Sequence, residues 1–234
     1  MQTMSDTSSP TPFDPSAGGG RHVARRVAFI SLAAIALGFV MQAVIFVAKL
    51  ASGAAIPAAQ LFVDIAQGIT WSLLVCVGVG TATSISKARP AMAGLLSMLV
   101  APAALAVARA SQKIMASLVE AAGQPAVLSV ATISTLKALE YGLLGWLLAR
   151  LVQRGSASAL PYISVGALIG LTFGTAISVL TYRVAVAKGT PPQLPAVVST
   201  SINEIIFPVG CAFVIYLGQL VTRSLIAGPG PQAG

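Results

Sequence analysis

Three carboxylates, Asp64, Glu140 and Glu204, and one lysine, Lys137, lie inside long apolar stretches of the chain. An ionisable group at the centre of a bilayer costs about 2.5–3.5 kcal/mol even on the mildest scale. Such a group therefore faces the protein interior, a water-filled cavity or a partner charge. Lys137 and Glu140 stand three residues apart, share a helical face and neutralise each other. Tyr141 beside them is placed to donate a further hydrogen bond. Asp64 lies only a few residues into its stretch, where it reaches headgroup water.

Glu204 follows Asn203 and precedes Pro208 by four. Proline has no amide proton, and its ring clashes with the carbonyl four residues back. That carbonyl belongs to Glu204, so a kink is expected there, freeing a backbone oxygen beside a carboxylate and an amide. Freed backbone groups at membrane depth are tolerated where they line a cavity or are buried in protein. Ser199, Ser201, Asn203 and Glu204 then form an oxygen-rich patch suited to a cation or proton. The bland alternative is that helix packing and side-chain hydrogen bonds satisfy all of these groups. Pro102 implies a second kink, with no ionisable neighbour and hence a structural role. Gly166, Gly170 and Gly174 repeat every four residues and line one face, which lets another helix approach closely.

The elements that position these residues follow from composition. Of 234 residues, 56% are hydrophobic and 9% charged, with a mean hydropathy of +0.88. A soluble domain of this size needs about 25% charged residues. The apolar residues fall in blocks of about 20, the length that crosses a hydrocarbon core of about 30 Å. No stretch alternates with period two, so a transmembrane β-barrel is not expected. The sequence predicts an all-α, polytopic membrane protein: a bundle of six helices over 27–48, 61–83, 91–109, 127–150, 161–183 and 197–222. Residues 111–121 extend the third helix along the interface. Residues 1–20 read as a disordered tail, 21–225 as the transmembrane domain and 226–234 as a flexible tail.

Pro57-Ala58, Pro125-Ala126 and Pro195-Ala196 precede the even-numbered spans at intervals of about 70 residues, and those spans end at Lys87, Arg154 and Arg223. The pattern suggests three copies of a two-helix hairpin about an axis along the membrane normal, although similar composition in every span gives a rival explanation.

The net charge of +8 is carried by residues at the ends of apolar blocks, which points to topology and lipid headgroups rather than nucleic acid. Eight basic residues fall on the side of the N-terminus (Arg21, Arg25, Arg26, Lys87, Arg89, Arg150, Arg154, Arg223) and five on the other (Lys49, Arg109, Lys113, Arg183, Lys188). The positive-inside rule then places both termini in the cytoplasm, with a bacterial inner membrane as the expected location. Cys76 and Cys211 are expected as buried free thiols. Trp71, Trp146, Tyr182 and Tyr216 read as interfacial anchors or lipid-facing side chains.

No cofactor or metal is expected. His22 is the only histidine, which excludes an H-E-x-x-H zinc site or a Ser-His pair within the membrane. P-loop and G-x-S-x-G signatures are missing. The leading expectation is a small transporter or channel for a cation, proton or small solute. A second is a non-catalytic membrane subunit, scaffold or assembly factor of a larger complex, and the expected partners are the lipid bilayer and a second copy of the chain or another membrane protein. A third, an intramembrane enzyme, needs two acids within about 5–10 Å of each other.

Overall fold

The computed structural model describes residues 15–54, 57–85, 89–121 and 127–226, the side chains of 15–23 and 224–226 excepted. Residues 1–14 and 227–234, Lys87 and the Pro125-Ala126 pair lie outside the described residues, as do the side chains of Arg21 and His22. Among the described residues every element is helical: α1 (Pro15–Ala51), α2 (Ala58–Ile85), α3 (Pro90–Leu118), α4 (Val130–Gln153), α5 (Leu160–Ile169), α6 (Thr175–Ala187) and α7 (Leu194–Ile226). A single π-helical turn, Gly170–Gly174, joins α5 to α6, and the three pieces form one rod, Leu160–Ala187.

Among the described residues, five helical segments are long and apolar enough to cross a membrane: Ala24–Ala51, Ala58–Ile85, Pro90–Leu118, Leu160–Ala187 and Leu194–Arg223. At 1.5 Å per residue, each exceeds a hydrocarbon core of about 30 Å. Large apolar side chains cover the outside of the bundle; Leu32, Leu99 and Leu168 are 68%, 65% and 57% exposed. A surface of that kind, on helices of membrane-spanning length, suits contact with lipid. The chain is thus an all-α, multi-pass integral membrane protein. The expected span 127–150 corresponds to α4, which falls outside the set of five; it is the helix that carries Lys137 and Glu140. Helix α1 begins at Pro15, well ahead of residue 27, so residues 15–20 of the expected tail are helical. Helix α3 runs on to Leu118, past the expected end at 109 and through Pro102.

Local chemistry sets the helix ends. The Ser129 hydroxyl caps α4 by accepting the Thr132 amide at 3.1 Å, which satisfies one of the amides that a helix start leaves free. Pro90 opens α3, where its missing N–H costs nothing. Gly155 and Gly189 follow α4 and α6 with φ of 65° and 73°, the left-handed conformation that glycine adopts without a Cβ clash.

Helices that are neighbours in sequence pack on one another, and α7 returns to α1, closing a ring. Helices α2, α4 and α7 also touch one another. These three therefore occupy the middle, and α1, α3 and the α5–α6 rod fill the gaps around them. The centre holds one aromatic from each inner helix. Trp71, Tyr141 and Phe207 meet with ring centroids 5.5, 6.1 and 6.4 Å apart, in the edge-on and tilted arrangements that aromatic quadrupoles favour. Trp71 is 7% exposed. Its expected role as an interfacial anchor is corrected: an indole suits a membrane interface or a core, and here it packs in the core.

Candidate functional site

Above the aromatic triangle the bundle opens into a cavity of about 530 Å³, lined by residues of α1, α2, α3, α4, α6 and α7. Small-molecule sites commonly enclose about 300–1,000 Å³. Trp71, Lys137 and Glu204 lie at its deep end, and Lys49, Asp64 and Val127 toward its mouth. The cavity lies on the side where α1 ends and α2 begins, away from the N-terminus.

The deep end is a charge cluster from two inner helices. Lys137 Nζ donates to Glu140 Oε2 at 2.9 Å, within α4, and also to Glu204 Oε2 on α7. Glu140 is sealed, its side chain 0% exposed, whereas Lys137 at 5% and Glu204 at 11% both line the cavity. The ammonium group also sits 5.6 Å from the Trp71 ring and 5.5 Å from Tyr141, where the ring faces attract a cation. Glu140 Oε1 and the Tyr141 hydroxyl are buried with no hydrogen-bond partner among the described residues. Tyr141 thus does not make the hydrogen bond expected of it.

Asp64 stands apart from this cluster. It pairs with Lys49 at 2.8 Å and accepts from Gln60 at 2.8 Å. It sits at the cavity mouth, where α1 and α2 come together. Asn203 and Ser199, Ser201 line the cavity wall beside Glu204.

Helix α7 runs uninterrupted through Pro208, whose missing N–H leaves the Glu204 carbonyl without its helical bond. The glycine stripe of the α5–α6 rod faces this stretch. A Cβ at Gly166, Gly170 or Gly174 would lie 2.7, 2.0 or 2.4 Å from the carbonyl oxygens of Pro208, Ile205 and Glu204. The partner of the stripe is therefore α7 of the same chain, at backbone contact. The π turn spans Gly170–Gly174, so the irregular turn of one helix lies against the proline-weakened turn of the other. Gly68 serves the cavity differently: a Cβ there would lie 2.0 Å from Gln42 Nε2, so its absence lets Gln42 reach the wall.

Below the triangle the bundle is closed by Val75, Val79, Leu144, Leu148 and Ile215, all 1% exposed or less. Cys76 and Cys211 are buried free thiols in this half and face each other. At its far end Arg26 is 3% exposed, Tyr162 0% and Gln219 8%. Arg26 Nε and Nη2, the Tyr162 hydroxyl and Gln219 Nε2 have no partner among the described residues. Counting Arg26 with the headgroup charges misses this burial, since position in the sequence does not reveal which face of α1 points inward.

Among the described residues, no three His, Cys, Asp or Glu side chains converge to hold a metal. The fold and site together are those of a multi-pass helical membrane protein with a charged cavity open at one end. No family model matches the sequence, and no curated protein or solved structure matches it.

Proposed function

We propose that the protein is a small transporter for a cation, proton or small solute, with the cavity as its loading site and Glu204 as the carboxylate met at its deep end. The observation that carries this reading is the cavity ending in mid-bundle on the Lys137–Glu204 pair. A sealed cluster would need no such access. The closed half supplies the opposite gate. Arg26, Tyr162 and Gln219 hold donors without partners among the described residues in this state, and these gain water when that end opens. The glycine stripe lets the α5–α6 rod slide on α7 without side chains interlocking.

In this reading α4 is the sixth span, its charges neutralised inside the bundle. Both termini are cytoplasmic, so the cavity opens to the outside of a bacterial inner membrane. Three hairpins, α1–α2, α3–α4 and the rod with α7, surround a central axis; the meeting of α2, α4 and α7 and their three aromatics support that repeat. The scaffold reading gives no account of the cavity. Acid–base catalysis fits poorly, because Lys137 stands between the two carboxylates where a substrate atom would have to sit.

The test is flux in proteoliposomes, followed for protons with an entrapped pH dye, for Na⁺ and for labelled small solutes. Flux of at least one above protein-free vesicles is expected, falling at least tenfold in Glu204→Gln. Equal flux in that variant, or none for the wild type, overturns the proposal.

A further inference from the structure

We infer that the cavity takes a small zwitterion, its ammonium end against Glu204 and its anionic end on Arg109. This rests on the reading of the cavity as a loading site, and it comes from charge accounting along the wall.

At the mouth, Lys49 and Asp64 neutralise each other, and Gln60 occupies the second Asp64 oxygen. That pair is complete and has no charge to offer. At the deep end, two carboxylates share one ammonium group, and with both carboxylates ionised one negative charge is in excess. Glu140 is sealed behind Lys137 and Glu204 faces the cavity. The excess is therefore presented to the cavity through Glu204, while Glu140 can hold Lys137 alone when a ligand competes for it.

Arg109, on the α3 wall of the same cavity, makes no ion pair among the described residues. Pairing within the wall leaves one carboxylate deep and one guanidinium higher up. An uncompensated charge in a low-dielectric site is costly. A solute with one charge of each sign, in the matching order, settles both. A simple cation leaves Arg109 unpaired, and a simple anion leaves Glu204 unpaired.

The register of α3 on α4 gives the spacing. A Cβ on Gly142 would lie 3.0 Å from Met98 Cβ, so the two residues are level. Counting from there, the Arg109 backbone sits roughly 9 Å nearer the mouth than that of Lys137 at 1.5 Å per residue. Both side chains are long enough to close part of that distance. An ammonium and a carboxylate several bonds apart therefore fit better than adjacent charges.

Binding to the purified full-length protein in detergent, read by calorimetry, tests the assignment. The probes are glycine, 4-aminobutanoate and 6-aminohexanoate, with butylamine and butanoate as single-charge controls. At least one zwitterion is expected to bind tenfold more tightly than either control, and a longer one more tightly than glycine. Arg109→Gln should reduce zwitterion binding to the level of butylamine, and Arg109→Lys should retain most of it, which separates lost charge from lost fold. A control that binds as tightly as every zwitterion, or no zwitterion binding, overturns the inference. Proton or Na⁺ flux that depends on Glu204 would still stand in that case. Zwitterion binding without any flux would instead sink the transport reading and leave the site intact.

Discussion

The two halves of the bundle use the same six-helix ring in opposite ways. On the side of the Lys49–Asp64 pair the helices part around a cavity with charged side chains in its wall. On the side of the N-terminus they close on Val75, Val79, Leu144 and Ile215. The boundary between the halves is the Trp71–Tyr141–Phe207 triangle, with Lys137 lying against two of its rings. Apolar contact gives little net drive between helices in lipid, because acyl chains are as apolar as leucine. The closed half therefore depends on close packing and on contacts such as the Ser72 hydroxyl donating to the Ala34 carbonyl at 2.6 Å. The open half depends on paired charges. The Lys137 cluster lies where the helices separate, and large apolar side chains together with the buried Arg26 fill the half where they close.

The largest effect expected of a single substitution is at Lys137. Lys137→Met leaves two carboxylates together without their cation and should cost about 3–5 kcal/mol, read by unfolding in detergent. Replacing all three charges, as Lys137→Met, Glu140→Leu and Glu204→Leu together, should recover most of that loss while abolishing flux. A Lys137→Met protein as stable as the wild type would break the comparison, since the charges would then contribute nothing to the open half. Next comes Gly170→Ile, which drives a side chain into the Ile205 carbonyl. A loss of roughly 1–3 kcal/mol is expected from overpacking, measured the same way. Unchanged stability would mean that the rod and α7 are not in backbone contact. The smallest effect belongs to Lys49→Gln at the mouth. Partly exposed pairs contribute up to about 1 kcal/mol, so the midpoint of unfolding should shift little. A loss as large as that of Lys137→Met would show that the mouth pair, not the deep cluster, holds the open half together.

Much of the fold was legible because hydropathy alone marks where a helix meets lipid. The glycine spacing at 166, 170 and 174 announced a close helix contact, and the spacing of Lys137 and Glu140 announced a local pair. Neither could name a partner across the bundle. The bond from Lys137 to Glu204 joins residues on different helices, and a period within one helix carries no information about its rotation against another. The same gap explains Trp71 and Arg26, whose residue types suit an interface as well as an interior. Pro208 signalled the freed Glu204 carbonyl through its own chemistry. The π turn facing it had only its two glycines as a clue.

Access from one side tests the central claim most directly. The two native cysteines, Cys76 and Cys211, lie in the closed half, and Ser201 lines the cavity. In sealed membranes, a membrane-impermeant maleimide should label Ser201→Cys from the side opposite the N-terminus and leave the wild-type protein unlabelled. An unreactive Ser201→Cys, or native cysteines that react as quickly, would contradict a bundle open at one end and closed at the other.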